Sequence, residues 1–284
     1  MQIALDTYMF REVPLLELPG VVADLGYEWI ELSPREDVIP FFRNPRIDLA
    51  GVRAFRKALD AAGVGVCSTQ FVQRWSGPGE DERRAAVRNV RRILEITTEL
   101  GVPVVQSEFN GRPELPEASE ARFLDSFDEL APAFEAAGVE LRLEPHPDDF
   151  VEDGFRAVDL VRGLDRPWVG FVYCLPHTFH QGGDGPGIVR YAGDLLRHVH
   201  VADSFDPRGS SGLRYIVNPP GSTARVHQHL DLGEGEVDVD GIFAALGEIG
   251  FDGALCSSVF AWEERREESS RLMRRRIQEL VDRW

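Results

Sequence analysis

The 284-residue chain has little that would tie it to a membrane, a nucleic acid or an oxidising compartment. It has three cysteines, Cys67, Cys174 and Cys256, too few and too scattered for a disulfide framework or a CxxC zinc motif. Each ends or nearly ends an apolar run, so buried free thiols in a reducing compartment are expected. No run approaches the roughly 18 apolar residues that a membrane helix requires. The first residues, MQIALDTYMF, hold neither a basic stretch nor a long apolar one, which argues against a signal peptide and for a cytoplasmic protein. Positive charge is in deficit: 31 Lys and Arg stand against 48 Asp and Glu, for a formal net charge of −17. Such a surface repels polyanions and anionic lipid, so neither nucleic acid nor membrane is expected as a partner. A small neutral or metal-chelated substrate is compatible with it, because that meets a pocket rather than the whole surface. Solubility alone explains the charge equally well.

What is present is alternation. Short β-branched or apolar runs alternate with segments of helical period, the mark of βα units around a parallel sheet. The strand candidates are QIALD (2–6), EWIEL (28–32), GVCST (65–69), VPVVQSE (102–108), VELRLEP (139–145), VGFVYC (169–174), HVHVAD (198–203) and GALCSS (253–258). Between the first five lie LLELPGVVADLG, DLAGVRAFRKALDAAG, DERRAAVRNVRRILEITTELG and ASEARFLDSFDELAPAFEAAG, with apolar residues at three- and four-residue spacing and a closing Gly. The expected class is α/β, a (β/α)8 TIM barrel forming one domain over 1–284. No GxGxxG follows the first strand, and the even rhythm of helix, glycine and strand disfavours a doubly wound sheet. The longest unpatterned stretch runs from about Ser204 to Val237 and contains RGSSGLRY and VNPPGS. A loop of that length is expected to be functional or mobile, projecting from the catalytic face.

Histidine is also absent from half the chain: none precedes residue 146. His146, His177, His180, His198 and His200 lie in or just after the fifth to seventh strands, and His227 and His229 in the long loop. In a barrel the C-terminal strand ends converge on one mouth, where the active site sits. Glu144 and His146 are two apart and so share a side of an extended strand, as do His198 and His200. A carboxylate beside an imidazole suits either a divalent metal or a base beside an acid. Any single histidine is as readily an ordinary core or surface residue; the clustering is what points to a site. Other strand ends supply Asp6, Glu31, Ser33 and Glu108. Burying these carboxylates is costly unless they are paired, and for Asp6 and Glu31 structural pairing is the preferred reading. Tyr8, Phe10, Phe41, Phe42, Trp75, Phe109 and Trp262 are candidate walls for a sugar-sized pocket, with core packing the alternative. The candidate catalytic residues are Glu144, His177 and Glu108. The candidate substrate contacts are His146, His180, Trp75, Arg112, Asp203 and His229.

The strings GYEWIEL, LEPHPDDF, HVHVAD, LGEGEVDVDGIF and GFDGAL resemble the xylose-isomerase-like barrel superfamily of sugar phosphate isomerases and epimerases. FFR (41–43), RWSGP (74–78), SEFNGRPE (107–114), PHPDDFVE (145–152), HTFHQGGD (177–184), GLRYIVNPPG (212–221) and SSVFA (257–261) extend the resemblance along nearly the whole chain, toward the IolH proteins of myo-inositol catabolism. The resemblance implies a sugar or cyclitol substrate and proton transfer next to a carbonyl. It also implies a divalent metal held by a carboxylate on strand five, an Asp on six, a His on seven and a Glu on eight. Glu144 and His200 match; the other two positions fall on Cys174 and Ser258. A metal then needs His146, His177 or His180, and the set expected is Glu144, His200, His146 and His177. Mn, Zn and Mg are the candidate ions, with the softer donors favouring zinc or manganese. Superfamily epimerases use two carboxylates on opposite faces of the substrate, and Ser258 cannot be the second. Either His177, Glu108 or Glu263 serves, or the enzyme works from one face. A lyase of the same superfamily, dehydratase or C-glycoside-cleaving, and a metal-less binder are the alternatives. A related barrel endonuclease is set aside because of the charge, and a homo-oligomer is left open.

Overall fold

The computed structural model describes residues 1–77, 79–205 and 229–284. Eight strands, β1 Gln2–Asp6, β2 Trp29–Leu32, β3 Gly65–Phe71, β4 Val104–Glu108, β5 Glu140–Glu144, β6 Val169–Cys174, β7 Leu196–Val201 and β8 Ala254–Ser257, close into a barrel in sequence order. Every neighbouring pair is parallel, including β1 with β8. Outside them run α1 Leu18–Asp24, α2 Leu49–Ala62, α3 Glu80–Leu100, α4 Pro116–Ala137, α5 Gly154–Leu164, α6 Leu175–Phe179, α7 Gly185–Ala192, α8 Val239–Glu248 and α9 Arg266–Val281. The expected strands are all present; β3 runs two residues further and β7 starts two earlier. Most of the unpatterned stretch, with RGSSGLRY, VNPPGS and His227, lies outside the described residues.

Local chemistry explains the punctuation. Asp48 accepts a hydrogen bond from the Gly51 amide at 2.7 Å and starts α2. Gly101 (φ 80°) and Gly138 (φ 63°) end α3 and α4 in the left-handed region, where a Cβ is disfavoured. Residues two apart on a strand share a face. Outward positions such as Ile30, Val105, Leu141, Leu143, Phe171, Val199 and Leu255 are buried in the apolar layer against the helices. Ala4, Cys67, Ala254 and Cys256 form a small apolar cluster inside the barrel, and toward the C-terminal strand ends the interior turns polar. His200 on β7 reaches Glu31 on β2 and Glu144 on β5, contacts that only the barrel interior allows. A buried layer of this kind is costly unless its members satisfy one another, so its composition points to chemistry rather than to packing.

Candidate active site

The inward residues at the C-terminal strand ends line one cavity. Its wall includes Asp6 and Ser258 on one side and Glu108, Glu144, His146 and His177 on the other, with His200 and His229 between them. Tyr8, Phe41 and Phe260 form an aromatic edge: Tyr8 meets Phe260 at 5.0 Å and Phe41 at 6.5 Å, both edge-to-face. A second cleft, at the opposite end of the barrel beside Gln2, Trp29, Cys67 and Arg142, has no comparable convergence of acids and imidazoles.

The imidazole-rich wall is a charge network. His200 Nδ1 lies 2.9 Å from Glu144 Oε1, and its Nε2 lies 2.8 Å from Glu31 Oε1. Carboxylates accept only, so both ring nitrogens donate and the ring is an imidazolium. Burial opposes that charge, but Glu144 and Glu31 outweigh it and hold the pKa of His200 well above its ordinary value. Burial likewise opposes charge on Glu144, but His200 and His177 hold its pKa well below the usual carboxylate range. Gln106 Nε2 donates to the other Glu144 oxygen at 3.2 Å. Glu31 also accepts from Ser68 at 2.6 Å, so it is the paired structural acid expected of it.

Two other carboxylates are held quite differently. Burial pushes Glu108 up to about 7 against the pull of His146, whose Nε2 lies 3.8 Å away. Burial, then repulsion from Glu31, pushes Asp6 up to about 7. Asp6 accepts from the Ser258 hydroxyl at 3.0 Å, from the Tyr8 amide at 2.8 Å and from the Ser33 hydroxyl. These uncharged donors offset burial only in part.

Of the residues singled out from sequence, Glu144, His177, Glu108, His146, His200 and His229 reach the cavity wall. Trp75 does not. Its ring is fully buried among Phe71 and Phe123, and its Nε1 donates to the Glu108 carbonyl at 3.1 Å, so it packs beneath the wall. Arg112 points outward to Glu114 at 3.7 Å, because Asp149 accepts the amides of Asn110 and Gly111, both at 2.6 Å, and fixes the turn before it. Asp203 is a scaffold residue: its carboxylate accepts the amides of Ser204 at 2.8 Å, Gly233 at 2.8 Å and Val237 at 3.1 Å. His180 turns away to Ser204 Oγ at 3.2 Å. Phe10 and Phe109 are buried in the core, Trp262 donates to Glu234 at 3.0 Å, and Glu263 pairs with Arg11. The sequence reading passed over Asp6 and Phe260 as site residues. The signal for Asp6 was closure itself, because a barrel that joins β1 to β8 sets Asp6 beside Ser258.

The ligands expected for a divalent metal fall into separate groups. Donor atoms converge in three groups among the described residues: Cys174 with His177 and His229, Glu144 with Cys174 and His200, and Glu31 with His198 and His200. His146 joins none of them, and its Nδ1 faces the Pro147 carbonyl at 2.6 Å.

A family model described as xylose isomerase-like TIM barrel matches residues 20–276. The chain belongs to the xylose isomerase-like TIM barrel family. It is 23% identical over 262 residues to an inosose isomerase of Bacillus velezensis, covering 88% of this chain and 87% of that protein. Among solved structures it superposes on D-psicose 3-epimerase of Clostridium cellulolyticum H10 with D-tagatose, at a TM-score of 0.78 and 16% identity over 99% of each chain. It superposes equally, at 0.78 and 18% identity over 100% of this chain and 99% of the other, on the IOLI protein with a bound zinc atom. At such identities these two likenesses speak for the fold.

Proposed function

We propose that the protein is an isomerase or epimerase-like enzyme that moves a proton at the carbon next to a carbonyl of a keto-sugar or keto-cyclitol. The observation that carries this reading is the pair Asp6 and Glu108. Both are buried, both are held at about 7, and both line one cavity from strands β1 and β4 of the ring. A base and an acid poised near neutrality are what reversible carbon deprotonation needs. The ionised member takes the proton from the substrate carbon on its face and leaves an enediolate. The protonated member gives a proton to the other face, and the two exchange protons with solvent between turnovers. The cation on His200 lies on the same wall and offsets the negative charge that develops. Glu144, already accepting from its neighbours and strongly ionised, orients the imidazoles rather than acting as the base.

The inosose isomerase relative supports a cyclitol or sugar of this class. Tyr8, Phe41 and Phe260 offer a flat apolar face to a sugar ring. The four-point oxygen and nitrogen set that the family resemblance implies for a divalent metal does not fit here. Both nitrogens of His200 are spent on carboxylates, Ser258 donates its hydroxyl to Asp6, and Cys174 stands where a carboxylate is expected. No step is therefore routed through that set.

Ser258 also favours a second reading, in which one carboxylate serves one face and the outcome is isomerisation or β-elimination. Incubation with D-psicose, D-tagatose and a keto-inositol, followed by NMR of the products, separates the two. Inverted configuration at one carbon supports the two-carboxylate reading. An aldose or a dehydrated product supports the one-face reading, and no change in any of them removes both.

A further inference from the structure

Two imidazoles in the cavity wall are fixed in the same unusual sense. His229 Nδ1 lies 2.6 Å from the Ser258 carbonyl, and His177 Nδ1 lies 3.2 Å from both the Pro145 carbonyl and Glu144 Oε1. Those partners only accept, so both Nδ1 atoms carry the proton, and burial lowers the pKa of both rings, which favours the neutral form with its lone pair on Nε2. The two Nε2 atoms are 3.3 Å apart, and Cys174 Sγ lies 3.9 Å from that of His229. Two imidazole lone pairs and one thiol sulfur thus face one point. All three residues are buried. Two Nε2 atoms at that separation need a proton or a metal cation between them. Tetrahedral zinc, with Zn–N near ~2.0–2.1 Å and Zn–S near ~2.3 Å, separates its ligand atoms by about 3.3–3.7 Å.

We infer that Cys174, His177 and His229 form a mononuclear soft-metal site of the zinc class, displaced from the ligand positions that the family resemblance implies. The inference deepens the proton-transfer reading, since His177 and His229 line the same cavity. The accepting groups behind the two rings are the outer partners that metal-bound histidines usually have, with Glu144 holding His177 and the Ser258 carbonyl holding His229. Binding displaces the Cys174 thiol proton to solvent, leaving thiolate, two neutral imidazoles and one open position. When bound, such an ion would supply Lewis-acid polarisation of a substrate carbonyl at that position. Cysteine at the end of β6 is then a substitution of donor type, and it selects against magnesium.

The test uses the full chain, stripped with chelator and titrated separately with zinc, cobalt(II) and magnesium. One zinc or cobalt per chain is expected, with no magnesium uptake at the same concentrations. Cobalt should give a near-ultraviolet thiolate charge-transfer band and tetrahedral visible bands. Cys174→Ala should abolish the charge-transfer band. Ser258→Ala, at a position where the resemblance implies a ligand, should keep both stoichiometry and band. Glu144→Gln should weaken zinc binding about 10–100-fold, the usual cost of losing an outer partner. Anomalous scattering from a zinc-soaked crystal keeps the question open to test if a variant does not fold: density between Cys174, His177 and His229 supports the site. Density on Glu144 and His200, or no uptake of zinc or cobalt, overturns it. Deuterium exchange into substrate is measured in parallel on the same samples. Metal uptake without exchange leaves the site and sinks the proton-transfer reading; exchange without uptake does the reverse.

Discussion

The two sides of the cavity treat a carboxylate in opposite ways. On the β5–β7 side Glu144 meets two imidazoles and an amide, and stays ionised far below the usual range. On the β8–β1–β2 side Asp6 meets two hydroxyls and a backbone amide, and is pushed up to about 7. Both are almost fully buried, so burial alone does not separate them; the charge of the donors does. A permanently ionised group suits anchoring, and a group poised near neutrality suits moving protons. Glu108 stands in the second class because burial outweighs the pull of His146, 3.8 Å away, and Glu144 beside it repels a second charge.

The contrast can be broken hardest at Glu144. Glu144→Gln removes the counter-charge of His200 and the anchor of His177, and turnover should fall about 10²–10³-fold, the usual cost of losing preorganised charge in a site. Because it breaks a buried pair, its melting temperature should also fall, while circular dichroism still reports the barrel. Near-native rate and stability in the Glu144→Gln variant would show that the anchored carboxylate is dispensable.

Asp6→Asn should cost turnover almost as much, yet move stability the other way. An acid whose folded pKa of about 7 exceeds its unfolded value of ~3.9 favours folding at low pH, and that advantage is lost as pH rises through about 7. Asparagine has no charge to bury, so the variant should melt above the native protein at pH 8 and lose that margin toward pH 4. Calorimetry across this range checks the sign. In the native enzyme the rate should peak near pH 7, because below it neither Asp6 nor Glu108 is ionised and above it neither holds a proton.

A gentler change sharpens the same comparison. The His146 charge pulls Glu108 down against burial, so His146→Gln should move the acid limb of the rate profile to higher pH, with only a several-fold loss at the optimum. An unmoved limb would separate His146 from Glu108. The smallest effect is expected at Trp75. Trp75→Phe loses one hydrogen bond to the Glu108 carbonyl, about 1 kcal/mol, and should lower the melting temperature by about 2–4 °C with KM unchanged. A raised KM would return Trp75 to the cavity wall.

Much of this architecture was legible in the sequence. Strand positions followed from short β-branched runs, and α1 to α4 from apolar spacing closed by glycine. The bias of histidine toward strands five to seven located the mouth, since parallel strands bring their C-terminal ends together. Facing was the illegible part. Trp75, Arg112 and Asp203 all lie near strand ends, yet a turn or a backbone bond directs each away from the cavity. The state of each imidazole was equally hidden, because it depends on which acceptor meets Nδ1 from another strand. Asp6 looked like an ordinary paired acid until closure of β1 on β8 placed it opposite Glu108's wall.

The central claim is that protons move between solvent and the carbon next to a substrate carbonyl through Asp6 and Glu108. The most direct measurement is NMR of D-psicose, D-tagatose and a keto-inositol incubated with the enzyme in D2O near pH 7. The account predicts deuterium at one carbon adjacent to the carbonyl of at least one of them, with exchange lost in Asp6→Asn and in Glu108→Gln. Exchange that survives both substitutions, or no exchange into any of the three, would contradict it.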